Sequence, residues 1–136
     1  MVTITALYEG GLRCTATHGP SDQILITDAP IDNHGKGASF SPTDLVATAL
    51  AGCMLTVMGI TAERHGIELK GTTVTISKEM SMDTPRRIVG LRSVMTIPLP
   101  ADHPQRVMLE AAAHACPVKH SLAPGIDSTV KFRWVG

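Results

Sequence analysis

Two of the three cysteines lie where they could carry out thiol chemistry. Cys53 is in the middle of a long apolar segment, and Cys116 comes much later, directly before Pro117. A reactive cysteine needs a neighbour that stabilises its thiolate, and a resolving cysteine must reach its partner sulfur. Pro117 interrupts backbone hydrogen bonding, so the chain can rearrange at Cys116 at low cost. Periodicity alone favours the simpler interpretation that both thiols are small buried hydrophobes, and the two interpretations stay open.

Three further residues bear on whether a thiol site is present. Arg13 is the only charge on its strand-like segment, where the simplest interpretation is a solvated arginine on an edge strand. Asp44 begins the apolar segment, and capping a helix is a sufficient structural task for it. Cys14 has no motif and no partner at short range, so it is interpreted as a core residue or a spectator.

A metal or nucleotide site has little support. His114, Cys116 and His120 give a loose H-x-C-x₃-H pattern without a CxxC, an HExxH or a second clustered pair. The same histidines, with Lys119, could instead place positive potential near the thiol or complement a helix dipole. The sequence has no GxGxxG and no Walker A motif. We therefore expect neither a metal nor a cofactor.

The elements that position these residues follow from hydrophobic spacing and turn residues. The segment Ser41-Pro42-Thr43-Asp44 combines an N-cap, a proline at the first helical position and a weakened capping box. It predicts a helix from Pro42 to about Arg64 that stops at His65-Gly66. Strands are predicted near 2–6, 12–17, 23–27, 72–82, 88–97 and 128–135, with a second helix from about 102–104 to Cys116. The order βββ-α-ββ-α-β indicates one α+β domain over residues 1–136 with mostly antiparallel strands.

The first helix carries information about assembly. From Leu45 to Ile60 it has no charged residue on any face. A helix that is apolar all round must be covered all round, which so short a chain cannot easily do alone. We therefore predict an obligate homodimer. This apolar segment is shorter than the roughly 18–20 residues of a membrane span, so no membrane association is expected.

Composition excludes other classes. Lys+Arg 12 balances Asp+Glu 12, and aromatic residues make up only 3%, so neither a basic nucleic-acid surface nor a base-stacking platform is indicated. Three cysteines, an odd number, do not make a secreted disulfide framework. The N-terminus has no basic region before an apolar stretch, so we expect a soluble cytoplasmic protein.

The two cysteine segments together resemble a known family. The segment Ser41 to Leu45, running on to Ala51-Gly52-Cys53, is similar to the first central helix of the OsmC/Ohr family, the osmotically inducible and organic-hydroperoxide-resistance proteins. The segment Cys116-Pro117-Val118-Lys119-His120-Ser121-Leu122 resembles the second motif of that family, and the order of elements matches over nearly the whole chain. The resemblance implies an OsmC-like fold in which antiparallel sheets of an intertwined homodimer wrap two central helices.

The resemblance also implies a cofactor-free peroxidase that defends against oxidative stress. Cys53 would attack a hydroperoxide, Cys116 would close a disulfide, and an external dithiol would reduce it. Arg13 would stabilise the Cys53 thiolate, held in place by a carboxylate. Peroxidase members have Glu where this chain has Thr43, and the acid here is Asp44, rotated by about 100° around the helix. Asp44 is therefore expected either to hold Arg13 or only to cap the helix.

This shifted carboxylate leaves a second hypothesis open. The protein could be a dimer without peroxidase activity that binds a small hydrophobic or thiol ligand, or that senses redox state through its cysteines. A purely structural dimer with inert thiols is the third possibility.

Overall fold

The computed structural model describes residues 1–136, which form six strands and three α-helices. The elements are β1 (Ile4–Gly10), β2 (Arg13–His18), β3 (Ile24–Asp28), α1 (Pro42–Arg64), β4 (Thr73–Met80), β5 (Ile88–Ile97), α2 (Arg106–His114), α3 (Pro117–Ser121) and β6 (Val130–Trp134). The class is α+β, as predicted. The residues divide into two compact units, 1–46 and 47–136. The prediction of a single domain stays a prediction.

The first unit contains an antiparallel sheet in the order β1-β2-β3. Gly10 and Gly11 turn the chain between β1 and β2 with φ of +83° and +61°, a region that glycine enters without steric cost. The loop after β3 contains one 3₁₀ turn, Ile31–Asn33, that the sequence did not predict. Apolar side chains of this sheet are exposed on both faces, for example Ile4 and Leu7 of β1.

The second unit contains a sheet in the order β4-β5-β6. β4 and β5 form the predicted long antiparallel hairpin, whereas β6 pairs with β5 in parallel. The predicted parity of β6 is confirmed, because Val130, Phe132 and Trp134 are half-buried while Lys131 and Arg133 are exposed. The buried apolar residues of the chain all belong to this unit. They are Ala47, Leu50, Met54, Met58, Ala62, Leu91, Met95, Ile97, Leu109, Ala113 and Cys116.

α1 has the bounds that its end signals predict. The backbone N–H of Ser41 donates to Asp44 Oδ2 at 2.8 Å, and the N–H of Asp44 donates to Ser41 Oγ at 3.1 Å. This reciprocal pair is a capping box closed by aspartate instead of glutamate. At the other end, Gly66 has φ +65° and the N–H of Ile67 donates to the carbonyl of Ala62, as in a Schellman motif.

One face of α1 is uncovered in the single chain. Its buried face consists of small and flexible apolar side chains, whereas Gly52, Thr56 and Ile60 form an exposed stripe at a spacing of four residues. α1 has 23 residues, and an 18-residue window of mean hydropathy 1.9 is only 28% buried. By length and composition alone the whole helix could cross a membrane, so the expectation of no membrane association, which was based on the shorter segment from Leu45 to Ile60, stays a prediction. Core helices of soluble proteins meet the same criterion.

The second predicted helix required a correction. It ends at His114 and not at Cys116, and a separate short helix, α3, follows. Proline lacks an N–H and fixes φ near −65°, which disfavours helix interiors but suits the first helical position. Pro117 therefore starts a helix here as well as preventing the previous one from continuing. Cys116 is consequently the N-cap residue of α3.

Candidate functional site

Cys53 of α1 and Cys116, the N-cap residue of α3, lie next to each other. The Cys116 side chain is completely buried, and its thiol interacts with that of Cys53. Cys53 is half-buried, and no disulfide joins the two residues. The structure thus brings together the two cysteines that the sequence singled out, although they come from distant parts of the chain.

The surroundings of Cys116 keep it in the thiol form. Burial raises the pKa of Cys116 above its ordinary value of 9.0, because an apolar environment disfavours a thiolate, and the hydrogen bond to Cys53 acts in the same direction. The backbone N–H groups of Lys119 and Val118 oppose this shift but do not overcome it. At neutral pH Cys116 is therefore protonated.

The position of Cys116 depends on α3. Its Sγ accepts a hydrogen bond from the backbone N–H of Lys119 at 3.4 Å, in the manner of an N-cap side chain. The ammonium group of Lys119 in turn donates to Ser128 Oγ at 2.9 Å and to the Ser128 carbonyl. These bonds attach α3 to the segment before β6 and hold the sulfur in place. The sequence suggested Lys119 only as a source of positive potential.

Arg13 and Asp44 are not joined in the structure. Asp44 closes the capping box of α1, as one of the two sequence-based expectations had it. Arg13 is exposed, and its guanidinium makes no hydrogen bond or ion pair. It occupies the first position of β2, which is the central strand of its sheet, so the interpretation as an edge-strand arginine was wrong. Its assistance to the Cys53 thiolate stays a prediction.

Sequence reasoning missed Asp28, the last residue of β3. Asp28 is only 1% exposed, and its Oδ2 accepts a hydrogen bond from the backbone N–H of Ala38 at 2.9 Å. Its other carboxylate oxygen, Oδ1, is buried without a partner. The sequence placed this residue at the start of a polar loop, where an aspartate ordinarily faces solvent.

The remaining candidates are separate from the thiol pair. The ring of His114 packs edge-on against Phe132 with the ring centroids 5.5 Å apart. No three His, Cys, Asp or Glu side chains come together as metal ligands would. Cys14 lies half-buried on β2, opposite Tyr8 and Thr27 on the neighbouring strands.

Comparison with known proteins identifies the family that this fold and this cysteine pair define. The chain belongs to the OsmC-like protein family, whose model matches residues 35–131. A crystal structure from Psychrobacter arcticus 273-4, of a protein named for osmotic stress induction and a detoxification response, shares 42% identity. It superposes with a TM-score of 0.90, and the match covers 97% of this chain and 96% of that one.

Two more distant structures show the same fold. The organic hydroperoxide resistance protein OsmC of Legionella pneumophila is 16% identical, with a TM-score of 0.78 over 98% of this chain and 96% of that one. The OsmC-like protein of Mycoplasma pneumoniae is also 16% identical, with a TM-score of 0.83 over 100% of this chain and 98% of that one. No curated protein sequence matches the chain. The predicted family and OsmC-like fold are therefore confirmed.

Proposed function

We propose that the protein reduces organic hydroperoxides with the Cys53–Cys116 thiol pair, as part of a defence against oxidative stress. The observation that carries this proposal is that the buried Cys116 thiol interacts with Cys53, which comes from a distant part of the chain. Two cysteines can form a disulfide when their α-carbons lie within about 7 Å of each other. The name of the Legionella pneumophila relative, an organic hydroperoxide resistance protein, supports the same activity.

The reaction proceeds in two steps. The Cys53 thiolate attacks the terminal oxygen of the hydroperoxide, so that an S–O bond forms, the O–O bond breaks and the alkoxide leaves as an alcohol after protonation. Cys53 is then a sulfenic acid. The Cys116 sulfur attacks it, an S–S bond forms, the S–O bond breaks and water leaves. An external dithiol takes over the disulfide by thiol exchange and restores both thiols.

The residues around Cys53 favour an alkyl hydroperoxide over hydrogen peroxide. Val57 lies half-buried one turn after Cys53 on α1, and the helix carries no charge between Leu45 and Ile60. An apolar surface of this kind gains free energy by covering the alkyl group of a substrate, a gain that hydrogen peroxide cannot supply. No bound metal or organic cofactor enters this chemistry.

Arg13 and Asp44 have different parts in this proposal. Arg13 stabilises the Cys53 thiolate and the departing alkoxide. This role is supported by the family resemblance and by an Arg13 guanidinium that makes no hydrogen bond or ion pair within the chain. Asp44 contributes through the cap that fixes the first turn of α1, the helix that carries Cys53. The Cys53 thiolate would attack one oxygen of the O–O bond, and the Arg13 cation would stabilise the negative charge that develops on the other oxygen.

We further propose that the working form is a homodimer in the cytoplasm. Apolar residues on β1 and β3 are exposed in the single chain, as is one stripe of α1, and a second copy could cover both. OsmC-family proteins are soluble, and three free thiols are typical of a reducing compartment. Light scattering coupled to gel filtration tests this, and a monomer at micromolar concentration would contradict it.

Stopped-flow oxidation by cumene hydroperoxide tests the peroxidase proposal. Cys53→Ser should abolish the reaction because the nucleophilic sulfur is lost. Cys116→Ser should still consume one equivalent of peroxide but should not turn over with a dithiol, since no disulfide can form. Cys14→Ser is the matched control and should react like the unaltered protein. A Cys53→Ser protein that reacts at the parental rate would end the proposal.

One observation favours the alternative function, a redox-sensing or ligand-binding dimer. Asp44 is engaged in the helix cap and Arg13 is not held by it, so the chain lacks the carboxylate arrangement that peroxidase members have. In that case the thiol pair would oxidise slowly, without turnover. Native mass spectrometry of the purified dimer would then show a retained small molecule, whereas fast turnover with an empty site supports the peroxidase.

A further inference from the structure

Asp28 is a buried carboxylate with unused bonding capacity. It is 1% exposed, its Oδ2 accepts from the backbone N–H of Ala38, and its Oδ1 is buried without a partner. An unpartnered buried carboxylate oxygen costs free energy, because it has lost its water without gaining a donor. Such an atom in a folded protein therefore points to a donor that can reach it.

The residue directly opposite Asp28 is Arg13, whose hydrogen-bond donors have no acceptor within the chain. Arg13 on β2 pairs with Asp28 on β3 in the sheet register, so both side chains emerge on the same face of the sheet. The Cβ atoms of such pairs are about 4.5–5.5 Å apart, well within the reach of an arginine side chain. Arg13 offers five N–H donors and uses none of them within the chain.

We propose that Asp28 is the carboxylate that positions Arg13. Rotation of the guanidinium onto Oδ1 would give the buried oxygen its missing donor and would fix the cation in one orientation. Asp28 is then a positioning residue that acts through Arg13. The inference rests on the proposed function in so far as Arg13 acts on Cys53. The role of holding Arg13, which the sequence analysis considered for Asp44, then belongs to Asp28 at the end of β3.

The backbone around Asp28 holds this carboxylate rigid. Its N–H donates to the carbonyl of Phe40 at 3.1 Å, and Ser39 Oγ donates to the carbonyl of Ile26 at 3.0 Å. With the bond from Ala38, these contacts attach the C-terminal end of the loop 29–40 to β3. A carboxylate fixed in this way can orient a mobile guanidinium without being displaced by it.

A thermal double-mutant cycle tests the pair without reference to activity. Arg13→Gln should lower Tm because it strands a buried carboxylate. The same change made in the D28N protein should lower Tm much less, since the amide has no charge to strand and can still accept from Ala38. Equal Tm shifts in the two backgrounds would overturn the pairing.

Single-turnover oxidation by cumene hydroperoxide tests the positioning role. Asp28→Asn and Arg13→Gln should each slow oxidation about tenfold, and the double variant should be no slower than Arg13→Gln alone. If Asp28 only held the loop, its replacement would slow the parent and R13Q proteins by the same factor, which would overturn the role. Asp22→Asn, in the exposed turn between β2 and β3, is the matched control and should react normally.

The two readouts separate failure of this inference from failure of the proposed function. If the unaltered protein does not react with peroxide but the Tm cycle is non-additive, the peroxidase proposal fails and the Arg13–Asp28 pair stands. If the protein reacts quickly but both cycles are additive, the peroxidase proposal stands and the pair is rejected.

Discussion

The units 1–46 and 47–136 bury different kinds of atoms. The buried residues of the first unit are Thr27, Asp28 and Ser41, all of them polar, while its strands expose Leu7 to 60% and Ile24 to 65%. The second unit buries a set of apolar side chains and, at its edge, the Cys116 thiol. The second unit thus has a core of its own. The first unit buries polar groups and has a sheet whose apolar side chains are exposed.

This difference also separates the cysteines. Cys14 lies on a strand of the first unit without a thiol neighbour, whereas Cys53 and Cys116 meet in the second. Apolar burial around Cys116 preserves the protonated thiol, and α3 positions its sulfur. The same physical effect, removal of water, therefore builds the core of this unit and raises the pKa of its buried thiol.

The largest effect is expected from truncating the core of the second unit. Leu50→Ala should lower the free energy of unfolding by about 2–5 kcal/mol, because Leu50 is fully buried and its removal leaves a cavity. Denaturant unfolding measures this loss. Leu7→Ala on β1 is the matched change in the other unit.

The two losses should differ in their dependence on protein concentration. If a second copy covers β1, the loss in Leu7→Ala should be largest at high protein concentration and should shrink on dilution, because an interface contributes only to the dimer, whereas the loss in Leu50→Ala should not change. A Leu7→Ala loss that is equal at all protein concentrations would argue that the first sheet is not a subunit interface.

A smaller effect is expected at the start of α1. Ser41→Ala should lower the free energy of unfolding by about 0.5–2 kcal/mol, since it removes the side-chain acceptor of the Asp44 N–H. Ser41→Gly should lower it by only about a few tenths of a kcal/mol. Denaturant midpoints of the two variants give the comparison. Equal losses in both variants would mean that packing of this buried serine, and not the cap, determines its contribution.

The smallest expected effect is that of replacing the Cys116 thiol. The effect on Tm is small at neutral pH and grows in alkali. Its pKa in the folded chain is raised above the ordinary value by burial, so the folded state holds the proton more tightly than the unfolded one. This contribution to stability is fully present below pH 9.0 and is lost as the pH rises through the raised value. Cys116→Ala should reduce the alkaline loss of Tm, and an unchanged Tm profile between pH 8 and 11 would contradict the shift.

Local signals predicted most of the elements because the relevant forces act between near neighbours in sequence. The cap at Ser41 and the stop at Gly66 gave both ends of α1, and alternation gave β5 from Ile88 to Ile97. Pro117 was interpreted as a stop but begins α3, since proline is compatible with both roles. The choice between them depends on contacts made elsewhere, such as the bonds from Lys119 to Ser128.

The sequence by itself determined the family motifs, the α+β order of elements and the two cysteines of interest. Residue type and short-range spacing were sufficient for these. Only the tertiary structure decided that Cys116 interacts with Cys53, that Asp44 is engaged in a cap, and that Asp28 is buried opposite Arg13. Such contacts depend on how distant segments exclude water together, and the pattern of any one segment does not contain that information.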